Sequence, residues 1–207
     1  EVFLVTFYAD REGELQQNGQ SPRPLAGMLK DDFEQVKKVS RIEDGNVVLK
    51  HGKYKVFNER IRYADPEFLE MLSIPLKWGE SKSLHDKNGI IMSEEMSKKY
   101  FGEEYSIGKN IEIIFGDNNK KVFEVTGVFE EFPGANSIYF DLLVNFENIA
   151  IAQPEYDLYD WSYLMRATLI QLTNPNDRLS IEASMDKYRI LQNHADPDWV
   201  IESFALE

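Results

Sequence analysis

The chain has 207 residues, of which 43% are hydrophobic and 13% aromatic, and it carries a net charge of −13. A chain of this length and apolar content can bury a core, which excludes a disordered protein. The acidity argues against nucleic-acid binding, because phosphate contacts require clustered Lys and Arg. The absence of cysteine excludes disulfides, thiolate metal sites and a cysteine nucleophile.

The two ends of the chain share one property, since both have the pattern of a β-strand. Val2 to Tyr8 is apolar on both faces, and Phe204 to Glu207 ends a second apparent strand. No signal peptide opens the sequence, and no apolar run approaches the ~18 residues that span a bilayer. Because both ends of the chain fall inside apparent strands, we expect a fragment cut out between two flanking segments.

A polar segment and a helix follow the first strand. Asp10 to Ser21 is polar and predicts a loop. Pro22 to Lys37 predicts a helix capped by Ser21, because its apolar residues recur on one helical face. Those residues are Leu25, Met28, Leu29, Phe33 and Val36.

The next segment predicts short antiparallel strands and a brief helix. Val39 to Tyr63 is β-like, and Asp44-Gly45-Asn46 and His51-Gly52 predict turns within it. Asp65 is expected to cap a helix that begins at Pro66. Its inward residues are Phe68, Leu69 and Leu72, and Trp78-Gly79 ends the unit.

The clearest local signal is a helix from Glu94 to Phe101. Ser93 can cap its start, Lys98 and Lys99 lie in its last turn, and Gly102 can supply the left-handed residue that ends it. Strands are predicted around this helix at Ile90 to Ser93, Ile111 to Phe115, Val122 to Phe129 and Ile138 to Phe146, with a turn at Gly116-Asp117-Asn118-Asn119.

The last part predicts an irregular loop followed by strand, helix and strand. Ala150 to Asp160 is acidic and aromatic without periodicity, and Trp161 to Leu172 is β-like. The last strand runs from about Trp199 to Leu206. The helix between the two strands places four apolar residues on one face, namely Ile181, Met185, Tyr188 and Leu191.

This order of elements predicts an α+β fold with two lobes. Both ends of the chain would build a porter-like lobe of the split-βαβ type, from residues 1–80 and 155–207. Residues 81–154 would form a smaller, strand-rich inserted lobe.

Motifs with catalytic potential fail on their spacing. The Gly102 to Asn110 segment has five residues between glycines where a phosphate loop has four, and Asn110 replaces the Ser or Thr that would bind Mg²⁺. The three histidines are far apart, and adjacent carboxylate pairs do not face each other across a cleft. Val128 stands where a calcium loop would need Glu. We therefore predict no enzyme, with no catalytic, cofactor-binding or metal-binding residues.

The 154–161 loop, Pro154 to Trp161, has the composition of a contact surface. Exposed aromatic residues are enriched where proteins bind partners, and acidic residues would form a polar rim. The candidate partner-binding residues are Tyr156, Asp157, Tyr159 and Asp160. The alternative is that Tyr159 and Trp161 anchor the loop onto the core.

A series of short motifs in fixed order resembles the extracytoplasmic domain of MacB/FtsX-type ABC transporter permeases, in the form common in Bacteroidetes. Each motif is weak alone, but together they cover most of the chain. They are Pro24-Leu25-Ala26, Phe33 to Val36, Asp65 to Leu72, Pro75 to Glu80, Ile90 to Ser93, Lys98 to Gly102, Ile107-Gly108-Lys109, Thr126-Gly127-Val128, Phe132-Pro133, Asn136-Ser137, Phe140 to Val144, and Trp161.

The resemblance implies a non-enzymatic module on the periplasmic face of the inner membrane, anchored by flanking transmembrane helices. Both ends of the chain would then face the bilayer, so we expect the first and last strands to lie close together at one end of the molecule. It would relay conformational change from a cytoplasmic ABC ATPase subunit to a substrate or partner protein. Depending on the branch, the resemblance implies a periplasmic adaptor, a lipoprotein or a cell-wall hydrolase as partner, and a permease dimer. The alternative is an extracytoplasmic ligand-sensing domain of a membrane receptor, which would have a small-molecule pocket.

Overall fold

The computed structural model describes residues 1–51, 55–116, 119–130 and 140–207, which form a mixed α and β fold as predicted. The strands are β1 Val2–Arg11, β2 Glu14–Asn18, β3 Ser21–Pro22, β4 Val36–His51, β5 Lys55–Ala64, β6 Leu76–Gly79, β7 Gly89–Ser93, β8 Asn110–Ile114, β9 Lys120–Phe129, β10 Leu142–Asn145, β11 Leu164–Met165, β12 Ala167–Leu172 and β13 Ile201–Leu206. The helices are α1 Leu25–Asp32, α2 Phe68–Met71, α3 Glu94–Phe101, α4 Ile149–Ala152, α5 Arg178–Ala183 and α6 Asp186–Ala195, with short 3-10 turns elsewhere.

The chain divides into two compact units. Unit 1 comprises Glu1–Ile42 and Asp157–Glu207, and unit 2 comprises Glu43–Tyr156. The later predicted boundary lies within two residues of the observed division at 156/157. The earlier one differs, because residues 43–80 belong to unit 2 and not with the chain ends. The assignment of lobes as separate domains stays a prediction.

Unit 1 is built on an antiparallel sheet whose strands lie in the order β13, β1, β12 and the start of β4. Val5 lies opposite Leu206, and the Leu4 N–H donates to the Glu207 carbonyl at 2.7 Å. The first and last strands therefore pair, which confirms the expectation that they lie together. The core of this unit combines strand and helix residues, among them Phe7, Leu25, Leu29, Ile170, Met185, Tyr188 and Leu206.

Unit 2 contains a ring of paired strands. The pairings run from the second half of β4 to β5, β10, β7, β9 and β8, and then back from β8 to β4. β6 adds to β9 outside the ring. The large buried side chains of this unit are Tyr63, Phe68, Tyr100, Phe123, Phe129 and Phe146.

The polar segment after β1 is not only a loop, which corrects the prediction for Asp10 to Ser21. Residues of β2 pair with β1 through a two-residue turn at Glu12 and Gly13, where φ is 58° and 87°. The Asp10 carboxylate accepts the Gly13 N–H at 2.9 Å and fixes this turn.

The first helix is shorter than predicted, and Ser21 does not cap it. Pro24 occupies the N-cap of α1, and the helix ends before Phe33. The Ser21 hydroxyl is instead buried and hydrogen-bonded to the Thr168 hydroxyl at 2.7 Å. Val36 belongs to β4.

The predicted turn at Asp44-Gly45-Asn46 is wrong, because these residues lie inside the long strand β4. Arg62 of β5 donates to both carboxylate oxygens of Asp44 at 2.7 and 3.0 Å, so the strand continues through the polar residues. Gly45 leaves room for the Tyr63 ring, which would lie 3.2 Å from an added Cβ. Of the predicted turn at His51-Gly52, Gly52 lies outside the described residues.

The central helix is confirmed at both ends. The Ser93 hydroxyl accepts the Met96 N–H at 3.1 Å, and α3 runs from Glu94 to Phe101. Gly102 follows with a positive φ of 69°. Gly127 also packs closely, as expected, since a Cβ there would lie 3.1 Å from the Ile91 side chain.

Several other boundaries shift. α2 begins at Phe68 with Glu67 at its N-cap, so Asp65 does not cap it with its side chain. The strand predicted from Trp161 to Leu172 is divided into β11 and β12. Leu191 is 41% exposed, whereas the other predicted members of its helical face are buried. The predictions for Asp117-Asn118 and Ile138 lie outside the described residues.

Candidate functional site

The 154–161 loop follows α4 and places its members at different depths. Leu158 and Tyr159 are 40% and 79% exposed, and Asp157 is also exposed. Tyr156 and Asp160 are half-buried. The four candidate residues predicted from sequence are therefore neighbours along one segment, but only the middle of that segment projects into solvent.

Aromatic contacts hold the two ends of the loop. In unit 2, the Tyr156 ring packs edge-on against Phe146, with ring centroids 6.2 Å apart. In unit 1, Trp161 stacks on Tyr188, with centroids 6.1 Å apart and ring planes inclined by 20°. Trp161 therefore anchors the loop to a core, as the alternative interpretation predicted. The same interpretation is wrong for Tyr159, because its side chain is mostly in solvent.

Two aspartates fix the backbone between these anchors. The Asp157 carboxylate accepts the Tyr159 N–H at 2.9 Å. The Asp160 carboxylate accepts the Ser162 N–H at 2.9 Å and the Ser162 hydroxyl at 2.6 Å. Side-chain turns of this kind restrict the backbone of residues 157–162, which lowers the entropy cost of ordering this stretch on binding.

The arrangement suits a contact surface better than a reaction centre. Leu158 and Tyr159 offer apolar and aromatic area, and the neighbouring carboxylates of Asp157 and Asp160 supply negative charge. An exposed Tyr with a polar surround is a typical interface anchor. Within the described residues, no three His, Asp or Glu side chains are grouped as a metal site would require.

Two hydrogen-bonded tyrosine–carboxylate pairs lie elsewhere, and sequence reasoning missed them. Tyr100 donates to Glu59 at 2.7 Å, and Lys99 donates to the same oxygen at 2.6 Å. Burial first, and then the hydrogen bond to Glu59, raise the pKa of Tyr100. The pair ties α3 to β5, so its role is structural. A Lys-Tyr pair ending a helix is the only local signal, and it does not identify the distant Glu59.

The second pair joins α1 to α6. The Tyr188 hydroxyl donates to Asp32 at 2.6 Å, and Lys187 donates to the same carboxylate oxygen at 2.7 Å. Burial raises the pKa of Tyr188, and its hydrogen bond to Asp32 adds to the shift. In each pair a tyrosine and the lysine before it donate to the same carboxylate oxygen.

Solved structures with the same fold are domains of membrane transporters, and the likeness covers almost the whole chain. A domain of a Porphyromonas gingivalis protein described as a permease is 19% identical, with a TM-score of 0.75 over 100% of this chain and 88% of that one. The extracellular domain of the ABC-type transporter YknZ from Gram-positive bacteria is 16% identical, with a TM-score of 0.64 and full coverage of both chains.

The periplasmic region of MacB from Actinobacillus actinomycetemcomitans is 14% identical, with a TM-score of 0.63 over 99% of this chain and 87% of that one. At these identities the likeness shows the fold alone. No protein with a curated description matches the sequence. None of the helices in the described ranges is long and apolar enough to cross a membrane.

The match to a family model identifies the family, which the likeness in fold alone does not. The model of the MacB-like periplasmic core domain matches residues 2–188, which is most of the chain. This match favours the permease interpretation over the ligand-sensing receptor. The chain belongs to the family of MacB-like periplasmic core domains, which are domains of ABC transporter permeases.

Proposed function

We propose that this domain relays ATP-driven conformational change from a cytoplasmic ABC ATPase to a substrate or partner protein outside the inner membrane. The family match over residues 2–188 is the observation that carries the proposal. The domain itself does no chemistry in this scheme. It transmits force and offers a surface, and the ATPase supplies the free energy.

The pairing of β1 with β13 supports the mechanical part of the proposal. Leu4 and Glu207 exchange two backbone hydrogen bonds of 2.7 and 2.9 Å, so the two ends of unit 1 are held together. Transmembrane helices joined to these strands would enter the bilayer side by side on the periplasmic face. Movement of either helix would then act directly on the central strand β1 or its neighbour.

We also propose that the 154–161 loop is the part of the surface that touches the partner. Tyr159 is the most exposed large hydrophobic residue in the described chain, and the Asp157 and Asp160 turns preorganise the loop around it. Tyr156 supports the loop from unit 2 through Phe146. The partner would be a periplasmic adaptor, a lipoprotein or a cell-wall hydrolase.

The relay is tested with a spectroscopic label in the full transporter. The domain has no cysteine, so a Tyr159→Cys variant carries one label once any cysteine elsewhere in the permease is replaced. Reconstituted permease and ATPase should change the mobility of the label on ATP addition. A label at Leu179→Cys, a position that is 70% exposed on α5, is the reference for an exposed site outside the loop. A signal at Tyr159 that is the same with a hydrolysis-deficient ATPase would contradict the relay.

The contact role of the loop has its own experiment. Tyr159→Ala should leave the melting temperature and the basal ATPase rate unchanged, but should reduce complementation of a strain that lacks the transporter gene. Leu179→Ala is the matched control, because Leu179 is 70% exposed on α5. Normal complementation by stable Tyr159→Ala would remove the loop from the proposal and leave the relay intact.

A further inference from the structure

β13 is an edge strand of the unit 1 sheet. In the described part of the chain it pairs with β1 alone. Because hydrogen-bonded and non-hydrogen-bonded residues alternate along an antiparallel pair, and Glu207 is bonded to Leu4, the backbone groups of Leu206 and Phe204 point away from β1. Such outward groups are a template for another strand.

Asn193 of α6 occupies one end of this edge. Its side-chain amide donates to the Ile201 carbonyl at 2.9 Å, and its side-chain oxygen accepts the Ile201 N–H at 2.8 Å. The two bonds reproduce what a residue in a neighbouring strand would offer. Asn193 therefore takes the place of a strand at Ile201.

Glu182 of α5 occupies the other end. Its carboxylate accepts the Leu206 N–H at 2.8 Å. The same oxygen accepts from Arg178 one turn earlier at 3.0 Å, which holds the carboxylate in position. Within the described residues, the outward backbone groups of Phe204 and the Leu206 carbonyl are left without a side-chain partner of this kind.

We propose that Glu182 and Asn193 guard β13 against antiparallel pairing with β13 of a second copy of this chain. With Phe204 opposite Phe204 of the second copy, Leu206 would lie opposite Glu202, and Ile201 opposite Glu207. No two glutamates then face each other, so the strand is complementary to itself in this register. In this register Leu206 would exchange backbone hydrogen bonds with Glu202 of the second copy. Pairing therefore needs the Leu206 N–H, which Glu182 occupies, and the space beside Ile201, where the Asn193 side chain lies.

The test removes the guards and measures the mass of the chain in solution. At moderate salt, which screens the repulsion between chains of net charge −13, the unaltered chain should be monomeric by light scattering. Glu182→Ala/Asn193→Ala should shift the mass to two chains. Glu182→Gln keeps an acceptor for the Leu206 N–H and should stay monomeric. A folded guardless chain that stays monomeric overturns the proposal.

A crosslink tests the register. Ser203 and Ala205 of the two copies would be directly opposite in a non-hydrogen-bonded pair, about 4.5 Å apart between Cα atoms, which is within disulfide reach. Adding Ser203→Cys/Ala205→Cys to the guardless chain should give a covalent dimer, and a dimer without this crosslink contradicts the proposal. If the double variant does not fold, crosslinking of Glu182→Ala should still exceed that of Glu182→Gln, and equal yields contradict it.

Discussion

β13 and β6 are the strands at the two ends of the strand order, and each has outward backbone groups that could pair with another chain. The two strands limit such pairing in different ways. β13 has six residues, and side chains from α5 and α6 occupy its outward backbone groups. β6 has only four residues, its register with β9 shifts between Leu76 and Trp78, and it ends at Gly79 with a φ of 93°. Short length, irregular register and twist are known ways to blunt an edge.

A longer, regular edge strand therefore needs side chains that block its pairing with another strand, whereas a short, irregular one does not. At β6 the backbone itself limits pairing, so the defence cannot be removed without damage to the fold. At β13 two side chains provide it, so two substitutions can remove it and leave the strand in place. Substitutions at the two strands should therefore differ in their balance between stability and self-association.

The largest effect is expected for Gly79→Ala in β6. A Cβ at this position would lie 2.4 Å from the Thr126 carbonyl oxygen, in a backbone conformation that already favours glycine. Strain and clash together should lower the free energy of unfolding by about 3–5 kcal/mol in urea denaturation. The matched control is Gly108→Ala, which shares a positive φ but has open space around it and should lose only about 1–2 kcal/mol. Equal losses would contradict a role for the close approach.

Asn193→Ala should have the next largest effect. It leaves both backbone groups of Ile201 without their partner, which should lower the free energy of unfolding by about 2 kcal/mol. Asn193→Asp keeps the acceptor but loses the donor, so its loss should be smaller in the same urea titration. An Asn193→Ala variant as stable as the parent would show that Ile201 has no need of this side chain.

Glu182→Ala should lower the free energy of unfolding less than Asn193→Ala does, and its main effect should be local opening of the backbone at Leu206. The loss of one partly buried hydrogen bond and one ion pair predicts about 1 kcal/mol. The Leu206 amide should exchange its hydrogen faster, as measured by NMR, whereas Glu182→Gln should keep most of the protection. Unchanged exchange in Glu182→Ala would remove Glu182 from the set of guards.

The smallest effect is expected at acid pH, where one carboxylate near each of the two strands takes up a proton. Hydrogen bonds from Lys187 and then Tyr188 hold the pKa of Asp32 below its usual 3.8, and Tyr188 lies on the helix that carries Asn193. Hydrogen bonds from Lys98 and then Lys77 of β6 hold the pKa of Glu94 below its usual 4.5.

Both carboxyls bind a proton more readily in the unfolded chain, so each contribution is complete above the usual pKa and is lost as the pH falls through the folded value. Glu94→Gln should therefore flatten the fall in thermal stability that begins near pH 4.5, and Asp32→Asn the fall that begins near pH 3.8. Asp32 is exposed and Glu94 is half-buried, so solvent screens both carboxylates in part and the changes should be slight. A pH profile that neither substitution alters would contradict the assignment.

Local signals predicted local structure well. The limits of α3 follow from Ser93 and Gly102, because a cap and a positive φ depend on only a few neighbouring residues. The turn at Gly13 was missed, although Asp10 three residues before a glycine is a recognisable turn signal. The continuation of β4 through Gly45 was beyond such reasoning, because the groups that stabilise it lie on β5.

In the candidate site, too, the sequence predicted local features but not those that depend on distant residues. Composition identified the 154–161 loop, but it gave no means to distinguish Tyr159 from Trp161, since both are aromatic residues beside an aspartate. The burial of Trp161 depends on Tyr188, which stacks on it from a helix distant in sequence. The guards of β13 were equally hidden, because Asn193 and Glu182 have the composition of ordinary helix surface residues.

The ring of strands in unit 2 has a consequence for how the chain reaches its fold. β5 pairs with β10, and β4 with β8, across long separations in sequence, and the ring is complete only when each of these pairings is made. Non-local pairings require the closure of long loops, and the entropy cost of closure comes before any stabilising contact forms. Topologies rich in such pairings therefore fold slowly. Refolding of unit 2 should therefore be limited by ring closure, and a newly made chain would expose its strand edges until that step is complete.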